Sequence, residues 1–184
     1  TLPLAAIPHK GYFEMFKGCA ALQTAPSLDA MTTMADSACY GMFNGCVALT
    51  QAPQMLKPAV ITPASYYQMF AGCSALQTAP SILATTADYR ACDSMFVGSG
   101  LTMLPQMENL KTINEYGCKE MFRSCNSLTQ ATDLTFNHIA HNGAEKMFAT
   151  CTTLDTIGNI YTKDVDYQGC YQMFTGCTAL KKAG

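Results

Sequence analysis

The stretch Cys39-Tyr40-Gly41-Met42-Phe43-Asn44-Gly45-Cys46-Val47-Ala48-Leu49-Thr50-Gln51-Ala52-Pro53 carries the pattern from which the whole chain is built. Its Met-Phe pair recurs at Met15, Met42, Met69, Met95, Met121, Met147 and Met173, at spacings of 27, 27, 26, 26, 26 and 26. A fixed period of roughly 20–50 residues is the mark of a repeat architecture, in which no unit can bury its own apolar face and neighbours must stack to do so. Seven units account for the 184 residues, so one domain is expected over 1–184. Because the chain begins and stops within repeat sequence, it reads as a fragment of a longer protein, with Thr1 to Ala6 as a remnant strand.

Aligned on the methionine, the columns have a physical meaning. Three residues before it stand Tyr12, Cys39, Tyr66, Cys92, Cys118, Ala144 and Cys170; four after it stand Cys19, Cys46, Cys73, Ser99, Cys125, Cys151 and Cys177. Small or apolar residues at −3, 0, +1 and +4 match one face of a helix. The residue at +3 is Gly18, Gly45, Gly72, Gly98, Ser124, Thr150 or Gly176, suited to a left-handed helix stop. A short helix is therefore expected in each unit, ending there. A leucine column follows at Leu22, Leu49, Leu76, Leu101, Leu128, Leu154 and Leu180, leading into a polar pair and, in four units, to Pro26, Pro53, Pro80 or Pro105. That segment reads as a short strand closed by proline, which has no amide for a ladder. The fourth unit is one residue short at Gly98-Ser99-Gly100-Leu101. Four residues before each methionine every side chain is small (Gly11, Ala38, Ser65, Ala91, Gly117, Gly143, Gly169), read as letting neighbouring units approach. Strands pair at about 4.8 Å and helices pack at roughly 8–10 Å. The expected fold is thus an arched, right-handed α/β solenoid of about seven 26-residue units, each with one short parallel strand and one short helix.

The unit Cys-Tyr-x-x-Met-Phe-x-Gly-Cys-x-x-Leu-x-x-Ala-Pro-x-Leu resembles the BspA-like (treponemal-type) leucine-rich repeats of bacterial surface proteins. The likeness covers nearly the whole chain, departing in units five to seven, which lack the proline, and at Ser99. It implies an extracellular, cell-surface-attached protein whose partners are host or neighbouring-cell surface proteins or glycans, and it supplies no catalytic residue. The alternative it leaves open is a structural spacer displaying another domain.

Composition narrows the remaining classes. Charged residues make up only 13% of the chain and the formal net charge is −2, so no electrostatic footprint for nucleic acid is visible. No apolar run reaches the roughly 18 residues that cross a bilayer as a helix. No catalytic or cofactor motif is present; neither enzyme activity nor a cofactor is expected. An uncapped end of the stack would allow end-to-end self-association. The ten cysteines share columns with Tyr, Ala and Ser, which favours buried thiols, although bridges between adjacent units such as Cys19 and Cys46 stay open. His138 and His141 form a His-x-x-His pair with no third metal ligand indicated, and read as polar loop residues. The candidate ligand-binding residues are the outward polar positions of the strand segment, Thr24, Gln51, Thr78, Gln130 and Thr156, with Ser27, Gln54, Ser81 and Gln106 just beyond. They form an uncharged hydrogen-bonding row, whose plainer reading is a solvated sheet. A second candidate is an aromatic column at −2: Phe13, Tyr40, Tyr67 and Tyr171.

Overall fold

The computed structural model describes residues 2–183 and is a parallel β-solenoid, with about six turns between the first Met-Phe pair and the last. Twelve short strands are formed: β1 (Ala6–Ile7), β2 (Thr33–Met34), β3 (Met55–Leu56), β4 (Val60–Ile61), β5 (Ser81–Ile82), β6 (Thr86–Ala87), β7 (Thr112–Ile113), β8 (Gln130–Ala131), β9 (Leu134–Ile139), β10 (Thr156–Ile157), β11 (Ile160–Val165) and β12 (Lys182–Ala183). All pairings are parallel and join one unit to the next. The largest sheet runs β11-β9-β7-β6-β4, a second runs β12-β10-β8, and β1-β2 and β3-β5 form isolated pairs. The first strand begins at Ala6, so residues 2–5 of the expected remnant strand are irregular, and Thr1 lies outside the described residues.

The expected helices are absent among the described residues. In their place, each Met-Phe segment is a run of tight turns whose amides bond alternately within the unit and across to the next. In the first unit Phe13, Met15, Lys17 and Cys19 donate to the carbonyl three residues back, whereas Tyr12, Glu14, Phe16 and Gly18 donate to Ala38, Tyr40, Met42 and Asn44 of the second unit. A left-handed residue every fourth position makes this possible: Lys10 (φ 57°), Glu14 (φ 50°) and Gly18 (φ 72°) here, and their equivalents in every unit. Such a chain has a period close to that of an α-helix, so it turns −3, 0, +1 and +4 inward as a helix would. The left-handed conformation expected at the +3 column is present, reaching even Ser124 (φ 58°) and Thr150 (φ 56°), but it is one of three per unit rather than a helix stop. With no helices, the mismatch of helix and strand spacing expected to arch the stack has no source.

The small column at −4 gives room both to the neighbouring unit and to its own: a Cβ on Gly117 would stand 2.9 Å from Ala87 O of the preceding unit, and one on Gly143 3.1 Å from Ile113 Cγ2 of the preceding unit. A Cβ on Gly169 would stand 2.6 Å from Val165 Cγ1, and one on Gly11 2.8 Å from Ile7 Cγ2. The turn also folds back onto the strand of its own unit, so at Gly11 and Gly169 the small residue clears the side chain four positions earlier. In the first six units the side chains at that earlier position, Ile7, Met34, Ile61, Ala87, Ile113 and Ile139, form a core column of their own.

Inside the stack the +1 phenylalanines make one continuous ladder, Phe16-Phe43-Phe70-Phe96-Phe122-Phe148-Phe174, with ring centroids 5.4 to 5.7 Å apart. The five central rings are fully buried, whereas Phe16 and Phe174 are half-buried. Truncating a central ring leaves a cavity flanked by two phenylalanines. Phe96→Ala is expected to lower stability by about 3–5 kcal/mol and Phe174→Ala by distinctly less; denaturant titration of the two variants checks the order. Equal losses would show that the stack does not act as a ladder of nearest neighbours.

Candidate functional site

The polar row identified in the sequence faces outward along the side of the solenoid that follows the leucine column. Thr24 bridges Gln51, and Gln130 pairs in register with Thr156. Between these two paired regions the ladder fails: among the described residues no bridge joins Gln51 to Thr78, or Thr78 to the fourth unit. The prolines shorten this pairing: beside Pro53 the first two units keep a single bridge, Thr24 to Gln51, with Ala25 N–H donating to Gln51 O over 2.8 Å. In the sixth unit the Gly158 amide donates to Ala131 O of the fifth over 2.9 Å. The same column holds Pro53, Pro80 and Pro105 in units two to four, and proline has no N–H to donate. Pairing resumes beyond them, where Ser81 N–H donates to Gln54 O and Ile82 N–H to Gln106 O.

A groove of about 660 Å³ lies over this interruption, within the roughly 300–1,000 Å³ typical of ligand clefts. Unit two contributes Thr50, Gln51, Ala52, Pro53 and Gln54; unit three contributes Thr78, Ala79 and Ser81; unit four contributes Met103, Leu104, Pro105 and Gln106. Of the nine candidate residues, the structure brings Gln51, Gln54, Thr78, Ser81 and Gln106 to this groove. Thr24 touches its edge by donating from Oγ1 to Gln51 Oε1 over 3.2 Å. Gln130 and Thr156 lie in the paired region further along, and the Ser27 hydroxyl is engaged with Asp29. Sequence reasoning missed Met103, which at 59% exposure is the least covered of the large aliphatic side chains. The signal was present: counted from the leucine, Met103 stands in the column otherwise held by Thr24, Gln51, Thr78, Gln130, Thr156 and Lys182, all polar.

The aromatic column at −2 divides. Phe13, Tyr40 and Tyr67 stack at 4.7 Å, with the Arg90 guanidinium over the Tyr67 ring. Tyr171 is separated from them by Asp93, Lys119 and Glu145 in the same column. Asp93 is nearly buried, and burial pushes its carboxyl up against the opposing effect of the Ser94 hydroxyl and Arg90. Lys119 pairs with Glu145 at 3.0 Å. Elsewhere His138 and His141 part company. His138 faces Asp164 (3.0 Å) and Asp166 (3.7 Å), an exposed donor set of the kind that holds a cation but is also common without one. His141 instead meets the Tyr167 carbonyl and Asn142.

No family model matches the sequence, and no curated protein does. Two solved structures are similar. A leucine-rich repeat protein from Bacteroides ovatus superposes with a TM-score of 0.53 at 20% identity, over 89% of this chain and 37% of that one. The fold is of the leucine-rich-repeat kind. A leucine-rich cell surface protein from Faecalibacterium prausnitzii matches at 14% identity with a TM-score of 0.31, over 97% of this chain and 70% of that one. The chain thus spans a little over a third of the Bacteroides ovatus protein's length.

In this leucine-rich-repeat stack the ten cysteines are free thiols, seven of them buried in the core. Those of the +4 column donate to the phenylalanine carbonyl of the preceding unit: Cys46 to Phe16 O, Cys73 to Phe43 O, Cys125 to Phe96 O, Cys151 to Phe122 O and Cys177 to Phe148 O, at 3.0 to 3.2 Å. Ser99 keeps the column polar by contacting Cys125 Sγ. Burial pushes Cys39, Cys73 and Cys151 up to about 12 and Cys125 to about 11. A thiol whose value is raised on folding leaves stability intact below its unfolded value and withdraws it as pH climbs toward the folded one. Stability is therefore expected to be flat around neutrality and to fall from about pH 9 toward pH 12. In the native state at pH 8 a thiol reagent should label exposed Cys19 first, the half-buried Cys170 and Cys177 more slowly, and the remainder only on unfolding. Rapid labelling of Cys73 or Cys125 would contradict the packing described.

Proposed function

We propose that the chain is an interaction module of an exported, cell-surface repeat protein, binding a protein or glycan on a host or neighbouring cell through the strand face. The observation that carries this reading is the groove over the interrupted ladder, where five of the outward polar residues converge on an exposed methionine. A surface kept only for solvation has no need of a concave, partly apolar site. The alternative, a spacer that displays another domain, is supported by the uninterrupted phenylalanine ladder, which stiffens the stack from end to end, and by the greater length of the Bacteroides ovatus protein.

The two readings separate in a binding screen of the folded chain against extracellular-matrix proteins and a glycan array. For a groove ligand, Gln51→Lys and Thr78→Lys each weaken binding at least tenfold, a loss of about 1.4 kcal/mol. Gln130→Lys, on the same face but outside the groove, leaves it unchanged. An equal effect of Gln130→Lys would spread recognition over the whole face. No ligand from correctly folded protein would favour the spacer.

A further inference from the structure

The chemistry of the groove lining is more selective than its shape. None of the twelve side chains that line it is ionisable, and none is aromatic. Its exposed apolar surface is aliphatic, with Met103 and Leu104 above the buried Pro53 and Pro105, so a pyranose ring finds no flat face to stack on. A charged group brought here would lose water without gaining a counter-charge, which is strongly unfavourable.

Two side-chain amides are held in defined orientations at the groove. Thr24 Oγ1 donates to Gln51 Oε1 over 3.2 Å, and Ser81 Oγ donates to Gln106 Oε1 over 3.1 Å. Each hydroxyl occupies the carbonyl end of its glutamine, so the Nε2 end is presented as a fixed hydrogen-bond donor. One such donor lies in unit two and the other in unit four, on either side of Thr78. The groove therefore offers two neutral donors to acceptors on an elongated ligand, with an exposed thioether between aliphatic walls beside them. A peptide main chain supplies neutral carbonyl acceptors at regular intervals, and its side chains alternate in direction.

We propose that the groove binds an uncharged, extended peptide segment. Gln51 Nε2 and Gln106 Nε2 donate to two of its main-chain carbonyls, and an aliphatic side chain of the peptide rests on Met103 and Leu104. The inference rests on the strand-face reading above and narrows its ligand from protein or glycan to a neutral peptide segment.

The test uses the full chain, isotope-labelled for NMR, titrated with a library of blocked hexapeptides built from Val, Ala, Thr, Ser and Asn. Matched peptides carrying a central Lys or Glu, and maltohexaose, are run alongside. Neutral peptides are expected to shift the side-chain amide signals of Gln51 and Gln106 and the methyl signal of Met103, with a central charge weakening binding at least tenfold. Gln51→Glu and Gln106→Glu keep side-chain shape but remove the donor, and both positions are exposed, so folding is not at stake. Each is expected to reduce peptide affinity at least tenfold. Equal binding of the charged peptides, or indifference to both substitutions, overturns the proposal. Shifts from maltohexaose alone overturn the peptide assignment and leave the strand-face reading standing. If no probe shifts these signals while a matrix protein still binds in a Gln51-sensitive way, the peptide proposal alone fails; if that binding is also missing, both fail.

Discussion

Everything in this molecule depends on the alternation of backbone amides along the Met-Phe segment, one bonding within its unit and the next reaching across to the neighbour. This arrangement satisfies the buried main chain without any helix, which a packed segment must do by some means. Its cost is conformational. Three residues in every unit take a left-handed φ, and fifteen of these in the chain are not glycine. Such residues persist only where the surroundings over-determine them, and here most of them donate their own amide to the next unit, as Lys10 does to Asp36 O and Glu14 to Tyr40 O. The turn run and the stack are consequently a single cooperative object: a unit removed from its neighbours would lose half of the amide partners that hold its turns.

The side-chain ladders follow from the same geometry. Identical positions in adjacent units lie one above another, so a residue type that stacks well on itself is favoured column by column. Phenylalanine at +1 gives the central ladder, and cysteine at +4 fits because it is small and carries a weak donor. Its thiol finds the carbonyl of the phenylalanine below, which already accepts an amide from its own unit, as Phe16 O does from Cys19 and Cys46. Serine at position 99 is tolerated for the same reason, being small and able to hydrogen-bond.

The period, the number of units and the inward columns were legible because burial leaves a residue-type signature. The helix was not distinguishable from the turn ladder, since both place −3, 0, +1 and +4 on one side. What separates them is the backbone at −1 and −5, occupied by residues as varied as Glu14, Ser94, Lys146, Arg90 and Tyr116, whose side chains give no hint of a left-handed φ. The small −4 column was legible as a need for space beside the neighbouring unit, and the structure adds that the strand of the same unit needs that space too. At the candidate site, the outward glutamines and threonines were visible by alternation. The groove itself was not, because a concavity depends on which neighbouring strands fail to pair.

That failure has a readable origin in two departures from the repeat. Prolines 53, 80 and 105 remove the amide that Gly158 still offers in a later unit, which cuts the outward ladder back to a single bridge beside Pro53, and over units two to four no bridge of that ladder forms among the described residues. The fourth unit is also short by one residue before Leu101, with Gly100 taking the tight path: a Cβ there would collide with the Ser74 carbonyl. Counted from the methionine, Thr78 lies opposite Leu104; counted from the leucine, it lies opposite Met103. Thr102 N–H donates to Gln77 O just as Thr50 N–H donates to Gln23 O, so the leucine register is kept past the deletion and Met103 takes an outward place that polar residues hold in neighbouring units. Repetition secures the fold, and the site forms where that repetition is locally broken without being lost, since the phenylalanine ladder and the turn amides continue undisturbed beneath it from Phe70 to Phe96.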